Sequence, residues 1–238
     1  MTNTKASESF YIGWDVGGWN CDKNGSSRDA IVILDSSLNL VGEPWRGNLR
    51  EDINNASTAQ EWLVLLFQRC KAVAPVGTLS ITMAIDTPLG FSQEFMNLVA
   101  GTAPVERLDS SGTNPYLFRY TERFLFRRGF RPLSSIKDMI GSQATKGMHV
   151  LAKFMPSLES CGVWTDGMGF RAIEAYPSAS KGAGVIQNLL KNCEPLKDDD
   201  RNDARVCAMI AHLFDTDRER LVSPPEDVPV SEGWIWIP

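Results

Sequence analysis

No apolar run in this chain approaches the roughly 20 residues that span a bilayer, so nothing reads as a transmembrane helix. The opening, Met1 to Ser9, is short and polar and lacks the apolar centre of a secretory signal, which makes a cytoplasmic location the expectation. The five cysteines, Cys21, Cys70, Cys161, Cys193 and Cys207, include no Cys-x-x-Cys pair; this argues against a zinc knuckle and against a disulfide framework. Histidine is scarce too. His149 and His212 both read as packing or surface residues rather than proton shuttles. A net charge of −5 is not that of a whole-surface nucleic-acid binder, but it leaves room for a local basic patch or a metal-mediated phosphate contact. Repeats and low-complexity tracts are absent.

What is present is an ordinary globular composition, 43% apolar and 22% charged over 238 residues, enough to bury a real core. Phe10 to Val16 reads as an apolar strand carrying Asp15, with Gly17-Gly18 directly after it. Ala30 to Leu34 and Leu40 to Trp45 follow as second and third strands of an antiparallel meander, which places the first strand in the middle of a sheet. Thr58 to Val73 has helical periodicity, capped by Ser57 or Thr58 and closed by Pro75. A fourth strand, Leu79 to Ile85, ends on Asp86 and breaks at Pro88 and Gly90. Helical patterns with breaks occupy the region to about 165. A fifth strand, Gly169 to Tyr176, carries Glu174 near its end, and a late apolar-faced helix carries Asp203. The run Asp198-Asp199-Asp200 has a sufficient explanation as the acidic start of that helix.

Asp15, Asp86, Glu174 and Asp203 are each bracketed by apolar or small residues, where an unpaired carboxylate would cost several kcal/mol or take up a proton. Several such groups together need positive charge. Carboxylate oxygens suit Mg²⁺ or Mn²⁺, and two such ions can clamp an in-line phosphoryl transfer. Pairing with Arg119, Arg123 or Arg171 is the alternative for any one acid, and Asp86 can also cap the turn that follows it.

The stretches Ile12-Gly13-Trp14-Asp15, Ala84-Ile85-Asp86-Thr87-Pro88-Leu89-Gly90, Glu174-Ala175-Tyr176-Pro177, Asp203-Ala204 and Glu232-Gly233-Trp234-Ile235 resemble the family called domain of unknown function 429, described as ribonuclease-H-like nucleases. The resemblance spans almost the whole chain. It implies a single α/β domain over residues 1–238, a five-stranded mixed sheet in ribonuclease-H-like order with helices on both faces, and a helical insertion at about 91–165. It also implies that Asp15, Asp86, Glu174 and Asp203 form the family's acidic cluster. The expected function is metal-dependent phosphodiester hydrolysis by a two-metal-ion mechanism on RNA or DNA, with those four acids as metal ligands.

Arg119, Arg123, Arg127, Arg128 and Arg131 are interleaved with Tyr116, Tyr120, Phe124, Phe126 and Phe130, a pattern suited to a nucleic-acid backbone and stacked bases. Arg119 and Arg123 could equally reach the acids and hold a scissile phosphate, or the stretch could be a solvated helix face whose aromatics pack inward. Two other functions stay open. Gly13 to Gly18 is similar to the Asp-x-Gly-Gly phosphate turn of actin-like small-molecule kinases, and a non-catalytic binding scaffold would keep the fold without the chemistry.

Overall fold

A computed structural model describes residues 8–77, 79–108 and 110–238; residues 1–7, which carry most of the expectation that no signal segment is present, lie outside the described residues. The first apolar run forms β1 (Glu8–Asp15), and the second forms β2 (Asp29–Asp35), antiparallel to it. The meander closes on β3 (Trp45–Gly47) rather than on Leu40 to Trp45, because Gly42 and Pro44 interrupt that segment and Leu40 makes only an isolated bridge to Leu34. A short helix, α1 (Arg50–Asn55), precedes α2 (Ala59–Arg69), which is shorter than its sequence pattern suggests. Then β4 (Leu79–Asp86) lies parallel to β1 in register, Asp15 beside Asp86.

Three helices follow, α3 (Gln93–Val99), α4 (Tyr120–Arg127) and α5 (Gly141–Phe154). The insertion expected over 91–165 is helical only to 154. Beyond it, β5 (Ser157–Ser160) and β6 (Val163–Thr165) make a hairpin that joins the sheet through β7 (Phe170–Ala175). After β7 come α6 (Pro177–Ser180), α7 (Gly184–Leu190) and α8 (Asp199–Thr216), and the chain ends on β8 (Ile235–Trp236), parallel to β7. The sheet therefore has eight strands in the order β3-β2-β1-β4-β7-β6-β5 with β8 also on β7, not five. The extra strands have two to four residues each, too few to show a period of two.

Both faces of the sheet are covered, which is why its central strands read as unbroken apolar runs. On one face Ile12, Trp14, Met83 and Ile85 pack against Trp62, Leu66 and Phe67 of α2 and Val150 and Phe154 of α5. Trp62 and Phe154 stack with ring centroids 5.4 Å apart. On the other face Tyr11, Ala84 and Ile173 meet α8 through Cys207, Ala208 and Ala211. There α8 comes so close to β1 that a Cβ on Gly13 would stand 1.7 Å from the Ala204 carbonyl oxygen. Only glycine fits.

Local capping agrees with these boundaries. Thr58 accepts a hydrogen bond from the Glu61 N–H at 3.1 Å, while Glu61 accepts from the Ser57 N–H at 2.7 Å. Thr58→Ala should lower stability by about 1 kcal/mol, measurable as a shift in urea midpoint at constant slope.

Candidate active site

The carboxyl ends of β1, β4 and β7 open onto a cleft of about 500 Å³, where an open α/β sheet presents its ligands. Strand alternation decides which acids meet there. Asp15 and Asp86 are register partners on neighbouring parallel strands, so their side chains leave the sheet on the same face, that of α8. Asp203 stands on α8 close enough for its charge to reach both, without lining the cleft itself. Its carboxylate pairs with Lys181, the residue immediately after α6.

Burial and mutual repulsion dominate this cluster. Burial first, then the charges of Asp86, Asp200 and Asp203, holds the Asp15 carboxyl well above its ordinary range. Burial, Asp203 and Glu174 push Asp86 up to about 8, with Lys181 pulling the other way. Asp203 is also raised, chiefly by burial, although Lys181 opposes that. The buried Cys207 thiol, one turn along α8, is raised by burial and by the charges of Asp86, Asp15 and Asp203, so a fourth group senses the same negative field.

Glu174, expected as a metal ligand, lines the same cleft but reaches it from the other face of the sheet, with its carboxylate taken by Arg119. Its register partner is Ile85, not Asp86, so its side chain leaves the opposite face of the sheet. There both its oxygens are engaged. Arg119 donates from Nη1 to Oε2 at 2.8 Å and from Nη2 to Oε1 at 2.6 Å, and the Leu89 N–H donates to Oε2 at 2.9 Å. Glu174 thus fixes the Pro88-Leu89 turn beside the cleft, and its charge still reaches Asp86.

Arg119 is likewise not a phosphate ligand. It is 2% exposed, pairs with Glu122 as well as Glu174, and donates to the Glu232 carbonyl at 3.0 Å. Glu232 in turn accepts from the Gln93 N–H at 2.9 Å and from the Tyr120 N–H, so one guanidinium ties α3, α4, β7 and the C-terminal segment together. Arg123 is half-buried on α4 and does not line the cleft. Two of the aromatics interleaved with these arginines pack on other rings: Phe124 lies 5.0 Å from Trp234 and Phe126 lies 4.9 Å from Phe118. Arg128 and Arg131 rest over Phe124 and Phe126. None of the five interleaved aromatics lines the cleft.

The glycine turn after Asp15 is also accounted for internally. The Gly17 N–H donates to Asp29 at 2.9 Å, the Gly18 N–H to Ser27 Oγ at 3.2 Å and the Trp19 N–H to Ser142 Oγ at 2.9 Å. A Cβ on Gly17 would meet the Arg28–Asp29 backbone at 2.5 to 2.6 Å, so the glycine serves close packing against the start of β2. Lys146, fully buried, pairs with Asp29 and donates to the Gly17 carbonyl at 3.3 Å. These N–H groups are committed and cannot also cradle the phosphates of ATP. The histidines pack edge-on, His149 against Trp19 and His212 against Tyr11, and neither lines the cleft.

Asp198 caps α8, accepting from the Arg201 N–H at 3.0 Å, and Asp200 both lines the cleft and pairs with Arg46. Two cleft features had no sequence signal, exposed Arg28 on the lining and Thr87, whose buried hydroxyl next to Asp86 has no hydrogen-bond partner; nor did Lys181, which pairs with Asp203 outside the lining. Among the described residues no three His, Cys, Asp or Glu side chains converge as a ready-made metal cage. The donor set still fits Mg²⁺ or Mn²⁺. Mg²⁺ commonly takes one or two carboxylates, keeps several waters and completes its shell with substrate phosphate, which is what an Asp15–Asp86 pair at the floor of a cleft provides for. No family model, no curated protein and no solved structure matches this chain.

Proposed function

We propose that this chain is a divalent-cation-dependent phosphodiester hydrolase acting on nucleic acid, built on a ribonuclease-H-like core formed by the β3-β2-β1-β4-β7 part of its sheet. One observation carries the reading: two half-buried aspartates end adjacent parallel strands side by side on one face, and desolvation with mutual repulsion disfavours their ionised forms. A hard cation removes that penalty. Asp15 and Asp86 would hold it, with Asp203 on α8, paired to Lys181, adding its charge from outside the cleft lining; the bound ion would polarise a phosphoryl oxygen and lower the pKa of water.

The protein's own groups divide the remaining work. Asp29 and Lys146 fix the turn after Asp15, and Glu174 with Arg119 fixes the turn after Asp86, so both strand ends approach the reacting phosphate from rigid supports. Lys181 gives Asp203 a positive partner when no metal is bound.

Mn²⁺ titration followed by electron paramagnetic resonance tests the reading directly, together with cleavage assays on single-stranded, duplex, hybrid and branched substrates. Wild type should bind Mn²⁺ and cut at least one of these substrates, and Asp15→Asn should do neither. A wild-type protein that leaves all four intact and takes up no Mn²⁺ at millimolar concentration would overturn it. Lys181 competes with the ion for Asp203, so Lys181→Met should raise Mn²⁺ affinity by about fivefold, the effect of roughly 1 kcal/mol expected of a half-exposed ion pair.

A further inference from the structure

The cleft also shows which part of a nucleic acid it would accept, and this inference rests on the hydrolase reading above. The chemistry changes in order across the strand ends. Arg28 immediately precedes β2 where β2 runs beside the end of β1; next come Asp15 on β1 and Asp86 on β4; then Tyr176 just past β7, and Ile235 on β8. At 4.7–4.9 Å per strand, the cationic side lies roughly 14 Å from the aromatic side at the backbone. Arg28 is exposed and has no ion-pair partner among the described residues. On the far side, Leu133 lines the cleft while 53% exposed, an apolar side chain with no core to fill. The Tyr176 hydroxyl donates to the Arg131 carbonyl at 2.8 Å, so the ring and the segment carrying Leu133 are held against each other.

We infer that the cleft takes a single unpaired nucleotide unit, its phosphate over Asp15 and Asp86 within reach of Arg28 and its base against Tyr176 and Leu133. A volume of about 500 Å³ lies in the range that encloses one small ligand. A base still paired and stacked in a duplex cannot lie against that apolar wall, whereas an unpaired base has its π-face free for it. Sequence preference would be weak, since stacking tolerates any base.

The test uses the full chain with Mn²⁺ and rapid-mixing fluorescence anisotropy before turnover, comparing a five-residue oligothymidylate, an abasic phosphodiester of the same length, and a duplex. The unpaired oligonucleotide should bind at least tenfold tighter than either of the others. Leu133→Ser should erase most of its advantage over the abasic strand while Mn²⁺ uptake stays at the wild-type level. Arg28→Gln should weaken the oligonucleotide and the abasic strand alike, by about tenfold. Equal affinity for the oligonucleotide and the abasic strand, or for the oligonucleotide and the duplex, in a protein that does bind Mn²⁺ overturns this inference alone. Failure to bind Mn²⁺ overturns the hydrolase reading and this inference with it.

Discussion

Asp86→Asn should raise the melting temperature at pH 8 by about 5–10 °C in the presence of a chelator, and leave it almost unchanged at pH 4. The unfolded carboxyl titrates near its ordinary 3.8, while the folded one is pushed up to about 8. Between those values the folded state holds a proton that the unfolded state has released. Stability on this account is therefore fully present below pH 4 and is lost as the pH rises towards 8. Each unit of separation is worth about 1.4 kcal/mol for an isolated group; shared with Asp15 and Asp203, the whole effect is a few kcal/mol, at 2–4 °C per kcal/mol for a chain of this size. Asparagine carries no charge at any pH in this window and removes the dependence. Calorimetric scans at pH 4, 6 and 8 in EDTA measure it. Mn²⁺ should return the lost stability to wild type at pH 8 and give nothing to the variant. If the variant instead melts lower at pH 8, Asp86 is a structural anchor and not an acid awaiting a cation.

Arg119→Met should lower stability by about 3–5 kcal/mol, which is roughly 10 °C in melting temperature, since removing one partner of a buried ion pair leaves the other charges uncompensated. Glu122 and Glu174 are both buried, and the Glu232 carbonyl also loses its donor. Arg119→Lys should recover little of this, because an ammonium cannot reproduce the two parallel bonds to Glu174. Limited proteolysis should show the C-terminal segment released first, since Glu232 is the point where it is tied to α3 and α4. A variant that melts within 2 °C of wild type but binds oligonucleotide poorly would return Arg119 to the phosphate-binding role that its sequence position suggests.

Asp15, Asp86 and Asp203 were legible in the sequence because each breaks an apolar pattern at a place where the pattern itself fixes position: two strand ends and one helix face. Glu174 follows the same rule and goes the other way. What separates it from Asp86 is one residue of register between β4 and β7, and nothing local encodes register. Arg119 looked like Arg123, four residues on, because both lie on the same helical stripe. Its partners decide its role, and they are remote, Glu174 at 55 and Glu232 at 113 residues' separation. Lys181 and Arg28 gave no signal, since single cations in polar turns are commonplace. The longer strands and the two-faced sheet were readable from apolar runs. The pairing of the two-residue eighth strand with β7 was not.

The contact between Gly13 and the Ala204 carbonyl bears on how such a cleft can adapt. With a Cβ excluded at Gly13, α8 rests directly on the backbone of β1 two residues before Asp15 and beside Asp203. Helix and strand are keyed together like a dovetail, and sliding α8 along β1 would drive its carbonyl into the strand. The acidic floor therefore moves as one piece. Any breathing that admits a ligand would come from the walls, the 16–28 loop on one side and the 130–140 segment on the other.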